Sequence, residues 1–131
     1  MNDCNIYFER FTKRNLKNSN QKRWNNLFIL GEKHWKKIDM WKLWENDFCK
    51  KESKKFEWEK SLEDLLQYIK NKCNKRIIII GLGHNSPIST SISIKELKQN
   101  LLDLLEGLIL LEDTNIGIAI NHDGDIMVFE D

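Results

Sequence analysis

Ile77-Ile78-Ile79-Ile80, followed by Gly81-Leu82-Gly83-His84-Asn85-Ser86-Pro87, is the stretch on which the fold turns. Four β-branched residues in a row show no polar alternation, so the run reads as a central strand covered on both faces. The glycines and the proline after it end the strand in a loop. Ser93 then opens a capping box with Glu96, in which the hydroxyl accepts from the Glu96 amide and the glutamate reaches back. Leu97, Leu101, Leu104 and Leu105 form the apolar stripe of a helix over 94–106, and Gly107 is placed to end it in a left-handed cap. Residues 108–111 read as the next strand, Glu112-Asp113-Thr114-Asn115 as a turn, and 116–120 as a further strand. Asp123-Gly124 is the strongest hairpin signal in the chain, because both residues tolerate positive φ, and 126–129 is the return strand. A crossover through the 94–106 helix predicts that 108–111 runs parallel to 77–80 in one sheet.

Upstream, Leu62, Leu65, Leu66 and Ile69 share one helical face, and Ser61 with Asp64 gives that helix a capped start. Tyr7, Phe8 and Phe11 have the spacing of a short N-terminal helix. Residues 15–22, rich in Asn, Lys and Ser, read as a loop. Leu27-Phe28-Ile29-Leu30 before Gly31 reads as a buried strand, with 34–38 as its hairpin partner. Met40, Trp41, Trp44 and Phe48 then suit a helix. The chain lacks a Gly/Ser linker, a Pro-rich stretch and an internal repeat. The expectation is an α+β fold, a single domain over 1–131. Its mixed or antiparallel sheet has about four to five strands, ends in a C-terminal three-stranded meander and packs on two or three helices.

The 131 residues are 40% apolar and 31% charged, which suits an ordinary domain with its own core and excludes a disordered chain. The net charge of +1 excludes a surface that is cationic throughout. That sum hides a split. Residues 1–76 carry 19 Lys/Arg against 11 Asp/Glu, a net of +8. Residues 77–131 carry 2 against 9, a net of −7. Such asymmetry fits either a charged partner or two faces that complement each other within the monomer. The apolar runs 77–80 and 108–111 fall far short of the roughly 20 residues of a membrane helix. Three widely spaced cysteines, Cys4, Cys49 and Cys73, and an N-terminus without the order of a signal peptide point to reduced thiols in a cytosol.

Four sets of residues bear on chemistry. The 81–87 loop follows a buried strand, as a phosphate-cradling turn does, but it lacks the Lys-Ser/Thr of a P-loop and its helix starts about ten residues late. His34, His84 and His122 are too dispersed for a local zinc site, and no signature marks a cysteine nucleophile. No catalytic residue, cofactor or metal is therefore assigned. Asn121-His122-Asp123-Gly124-Asp125 is a hairpin turn rather than a calcium loop, since strand follows where a helix would be needed. Glu112, Asp113, Asp123 and Asp125 are the acids carried on the two meander turns, which the strands can place at opposite ends. Trp24, Trp35, Trp41, Trp44 and Trp58 all lie in 24–58 among lysines. They are either core residues, anchors for a protein partner or a stacking platform for single-stranded bases.

The run Ile116-Gly117-Ile118-Ala119-Ile120-Asn121-His122-Asp123-Gly124-Asp125-Ile126-Met127-Val128-Phe129, with the general make-up of the chain, resembles bacterial immunity proteins encoded beside polymorphic or contact-dependent growth-inhibition toxins. The resemblance implies a cytosolic protein that binds one cognate toxin tightly and blocks its active site, and an enzyme using His84 or His122 is the last-ranked reading. Toxins that attack nucleic acid present basic active sites, so Glu112, Asp113, Asp123 and Asp125 are the expected toxin-facing residues. The alternative is a nucleic-acid-binding module using the Lys/Trp-rich first half.

Overall fold

The computed structural model describes residues 2–35, 37, 48–81, 87–91, 93–103 and 106–130. In chain order its elements are α1 (Asn2–Asn15), α2 (Asn18–Leu30), α3 (Glu32–Trp35), β1 (Lys55–Glu57), α4 (Leu62–Lys72), β2 (Arg76–Gly81), β3 (Ile88–Ser91), α5 (Ile94–Asp103), β4 (Gly107–Leu111), β5 (Gly117–Ile120) and β6 (Ile126–Phe129). The isoleucine run is β2, and it is buried on both faces as its unbroken apolar pattern requires. The six strands form one sheet in the order β1-β6-β5-β4-β2-β3, with every pairing antiparallel. This is the expected α+β class, with the expected meander β4-β5-β6. The sheet gains two short edge strands, β1 and β3, that carry no apolar run to announce them.

Strand alternation sorts the core into two. Ile78, Ile80, Leu108, Leu110, Ala119, Met127 and Phe129 point to one face, where Phe8 and Phe11 of α1 and Trp24 and Phe28 of α2 cover them. Ile77, Ile79, Ile109, Leu111, Ile118, Ile120 and Val128 point to the other, under Leu65, Leu66 and Ile69 of α4 and Leu97 and Leu101 of α5. Among the described residues four helices thus pack on the sheet, two to a face, rather than the two or three expected. The first core is held by aromatic contacts. Phe8 stacks on Phe28 at 4.4 Å and Phe11 meets Phe129 edge-on at 5.2 Å.

Three expectations are corrected. First, residues 108–111 do not run parallel to 77–80. The chain turns back after β2 into β3, which pairs antiparallel with it, and α5 then carries the chain to β4 on the far side of β2. The crossover through α5 is real, but it joins β3 to β4. Ser89, Thr90 and Ser91 are too polar to read as a strand, and so the reversal was hidden. Second, 27–30 is not a strand but part of α2, 34 and 35 of its expected partner lie in α3 while 36 and 38 lie outside the described residues, and 15–22 is not a loop. Helix α1 ends at Asn15, α2 begins at Asn18, and α2 buries Trp24 and Phe28, four residues apart, while leaving Ile29 and Leu30 exposed. The polar residues around the corner are spent on tertiary bonds: Asn20 Nδ2 donates to the Phe48 carbonyl at 2.9 Å, and Asn25 Nδ2 to Thr12 Oγ1 at 2.9 Å. Third, Gly107 does not cap α5. It lies inside β4, opposite Gly81 and Ile120.

The cap at Ser61 forms, with its Oγ accepting from the Asp64 amide at 3.2 Å. Ser93 Oγ accepts from the Glu96 amide at 3.5 Å, while the Glu96 carboxylate takes the Thr90 hydroxyl at 3.0 Å. Met40, Trp41 and Trp44, the 82–86 part of the glycine loop, and Leu104 and Leu105 lie outside the described residues. Phe48 is buried in a turn. Among the described residues, no helix is long and apolar enough to cross a membrane.

Candidate functional site

The meander divides the four expected acids into two pairs. Glu112 and Asp113 sit on the β4–β5 turn, and Asp123 and Asp125 on the β5–β6 turn. Consecutive turns of a meander lie at opposite ends of the strand they share, so the four residues do not form one patch.

At the β4–β5 end the acids are matched from within. Glu112 pairs with Arg76, whose Nη1 also donates to Ser89 Oγ at 3.2 Å, and Asp113 pairs with Lys75. The hydrogen bond and charge of Lys75 hold the Asp113 carboxyl below its ordinary range, and the same contact raises the Lys75 ammonium. Burial pushes the Tyr7 phenol up, and the Glu112 and Asp113 carboxylates add to that. Asp113 itself adopts φ 60°, a left-handed position that aspartate tolerates.

The β5–β6 end is built differently. The Asn121 amide donates to the Asp125 carbonyl at 3.1 Å, and the Gly124 amide to the Asn121 carbonyl at 3.0 Å. The buried Asn121 side chain organises the rest: its Oδ1 accepts from the amides of Asp123 at 3.0 Å and Asp125 at 2.9 Å, and its Nδ2 donates to Asp125 Oδ2 at 3.2 Å. Only Gly124 of this turn takes positive φ, at 86°, so the loop is a three-residue hairpin with glycine in the left-handed position. The Asp123 side chain is 70% exposed, and His122 lies 3.5 Å from it and 3.9 Å from Glu106. Among the described residues, no lysine or arginine pairs with Asp123 or Asp125.

The remaining candidates divide between structure and surface. Trp24 is buried in the first core. Trp58 is half-buried against Tyr68 at 5.2 Å, with its indole donating to the Ser61 carbonyl at 3.2 Å. Trp24, 1% exposed, offers no ring face for a base. The Trp35 side chain, Trp41, Trp44 and His84 lie outside the described residues. Among the described residues, no three His, Cys, Asp or Glu side chains converge as metal ligands. Cys4, Cys49 and Cys73 are buried, and burial pushes the Cys49 thiol up.

Two concavities border α1. One, between Tyr7, Phe11, Arg14 and the β4–β5 turn, holds about 30 Å³, room for one water rather than a substrate. The other is a wide recess of about 620 Å³ at the α1–α2 corner, lined by Lys13, Arg14, Lys17, Asn18, Lys50 and Glu52. Sequence reasoning missed it, because Lys50 reaches Lys13 only when the chain returns beside α1 after 34 or more residues of helix and connecting chain. Composition pointed to lysines near the tryptophans, and of this cluster only Lys50 lies in that segment.

Comparison with protein-family models, with curated proteins and with solved structures finds no match to the chain.

Proposed function

We propose that the chain is an immunity protein that binds a cognate bacterial toxin in the cytosol and blocks its active site, with the β5–β6 turn as the toxin-facing end. The observation that carries this reading is the state of its two acids. Asp123 and Asp125 stand on a turn fixed by Asn121, and no lysine or arginine among the described residues neutralises them. Charges held in place before encounter steer a basic partner and cost little ordering on binding. Glu112 and Asp113, matched by Arg76 and Lys75 at the other end, fall outside this contact. A nuclease toxin, with a basic active site, is the partner such a surface complements.

The test couples the chain to the toxin encoded beside its gene. Asp123→Lys with Asp125→Asn, which keeps an acceptor for Asn121, is expected to slow association by about tenfold or more at low salt and to flatten its salt dependence. Glu112→Gln is expected to leave the association rate alone. Unchanged toxin affinity in the Asp123/Asp125 variant would refute the assignment of this turn.

A further inference from the structure

The α1–α2 corner concentrates positive charge in one place. Lys13 and Arg14 come from the last turn of α1, Lys17 from the corner itself, and Lys50 from the segment that returns beside it; among the described lining residues Glu52 is the one acid. The corner is braced. Lys17 donates its amide to the Phe48 carbonyl at 3.2 Å, Lys50 its amide to the Asn15 carbonyl at 2.9 Å, and Leu16 bridges to Cys49. Lys50 Nζ donates to the Lys13 carbonyl at 2.6 Å, which brings a further cation into the cluster. Helix α2 starts here with no acid in its first turn, so its positive end adds to these charges instead of meeting a counter-charge. Lys13 and Arg14 suit the negative end of α1, but Lys17 at the start of α2 and Lys50 beside it add like charge to them, and charge gathered in this way marks a binding surface.

We infer that this recess is a contact surface for the phosphate backbone of nucleic acid. The lining distinguishes that partner from a protein. The centre of a protein interface is depleted in lysine and built on an aromatic or aliphatic anchor, and here every lining residue is polar or charged. Phosphate contacts, by contrast, are made by Lys, Arg and Asn side chains. Among the described residues no aromatic side chain lines the recess, so the contact it offers is to the phosphate backbone alone. It is therefore indifferent to sequence and open to duplex as well as single strands. This inference is independent of the toxin-facing turn, which lies at the other end of the sheet.

The experiment is fluorescence anisotropy of the whole chain with short labelled oligonucleotides of mixed sequence, single-stranded and duplex, across a salt series. Both probes bind at low salt, and for the duplex the slope of log K against log salt is about −3 to −4, as about four phosphate contacts require. Lys13→Gln and Lys17→Gln, at exposed positions, each weaken both probes and lower that slope by about one, with unchanged melting temperatures. Lys22→Gln, exposed on α2 outside the recess, changes nothing. Absence of binding at low salt overturns the inference, as does an equal loss in Lys22→Gln. Binding confined to single strands, or poly-glutamate competing as well as an oligonucleotide, overturns it too.

Discussion

At the scale of single residues, Gly117 is a place where the two layers of the first core meet closely. A Cβ placed on it would stand 2.6 Å and 2.7 Å from ring carbons of Phe11, which is itself wedged edge-on against Phe129. Neither ring can give way without disturbing the other. Gly117→Ala is therefore expected to cost about 1–3 kcal/mol in urea denaturation, and distinctly less in a Phe11→Leu background. A neutral Gly117→Ala in the parent chain would show that α1 does not press on β5. A glycine within a strand pattern hints at close approach, but nothing in the sequence says that Phe11 is what approaches. The same limit applied to the acids. The β5–β6 turn was legible because Asn121, Asp123 and Gly124 act on their immediate neighbours. That Glu112 and Asp113 are spent on Arg76 and Lys75 was not, because those partners are 36 and 38 residues away.

At the scale of elements, the helices with two clean signals, α4 and α5, were readable: a serine cap and a one-sided apolar stripe agree. Helix α2 was not, because Leu27-Phe28-Ile29-Leu30 carries the run of a strand while only part of it is buried. The helix and strand readings make opposite demands on neighbours. In the helix Phe28 is 5% exposed and Ile29 is 70% exposed. Phe28→Ala, which empties a place stacked on Phe8, is expected to cost about 3–5 kcal/mol. Ile29→Lys is expected to stay within about 0.5 kcal/mol of the parent, since it alters only surface. Guanidinium midpoints for the two variants decide it, and a large loss in Ile29→Lys would favour the buried strand. Strand β3 shows the converse failure. Its Ser89-Thr90-Ser91 edge has no apolar signature, so its existence follows only from the hydrogen bonds that β2 needs on that side.

At the scale of the molecule, the isoleucine run foretold a strand covered twice, and the sheet order explains what that coverage does. Alternate residues of β2, β4, β5 and β6 enter different cores, so neither core exists without the sheet and the sheet has no face that is free of them. The charge split of the sequence is redistributed by the same topology. Basic α1 and α2 cover one face, Arg76 and Lys75 neutralise the acids beside them, and Asp123 and Asp125, which no described lysine or arginine meets, stand at the β5–β6 end. A shared sheet predicts shared unfolding. Phe8→Ala opens the α1/α2 side and Val128→Ala the α4/α5 side, yet both are expected to shift one transition rather than split it. Tryptophan fluorescence reports on both sides, through Trp24 in one core and Trp58 packed against the other, while far-UV circular dichroism follows the whole. In both variants the two probes should give coincident urea midpoints, with a loss of unfolding free energy of about 3–5 kcal/mol for Phe8→Ala and less for the smaller Val128→Ala deletion. Separate midpoints in the Phe8→Ala variant, with the dichroism outlasting the fluorescence, would mean that the α4/α5 core and its sheet stand alone, and that α1 and α2 are a layer added to a self-sufficient unit.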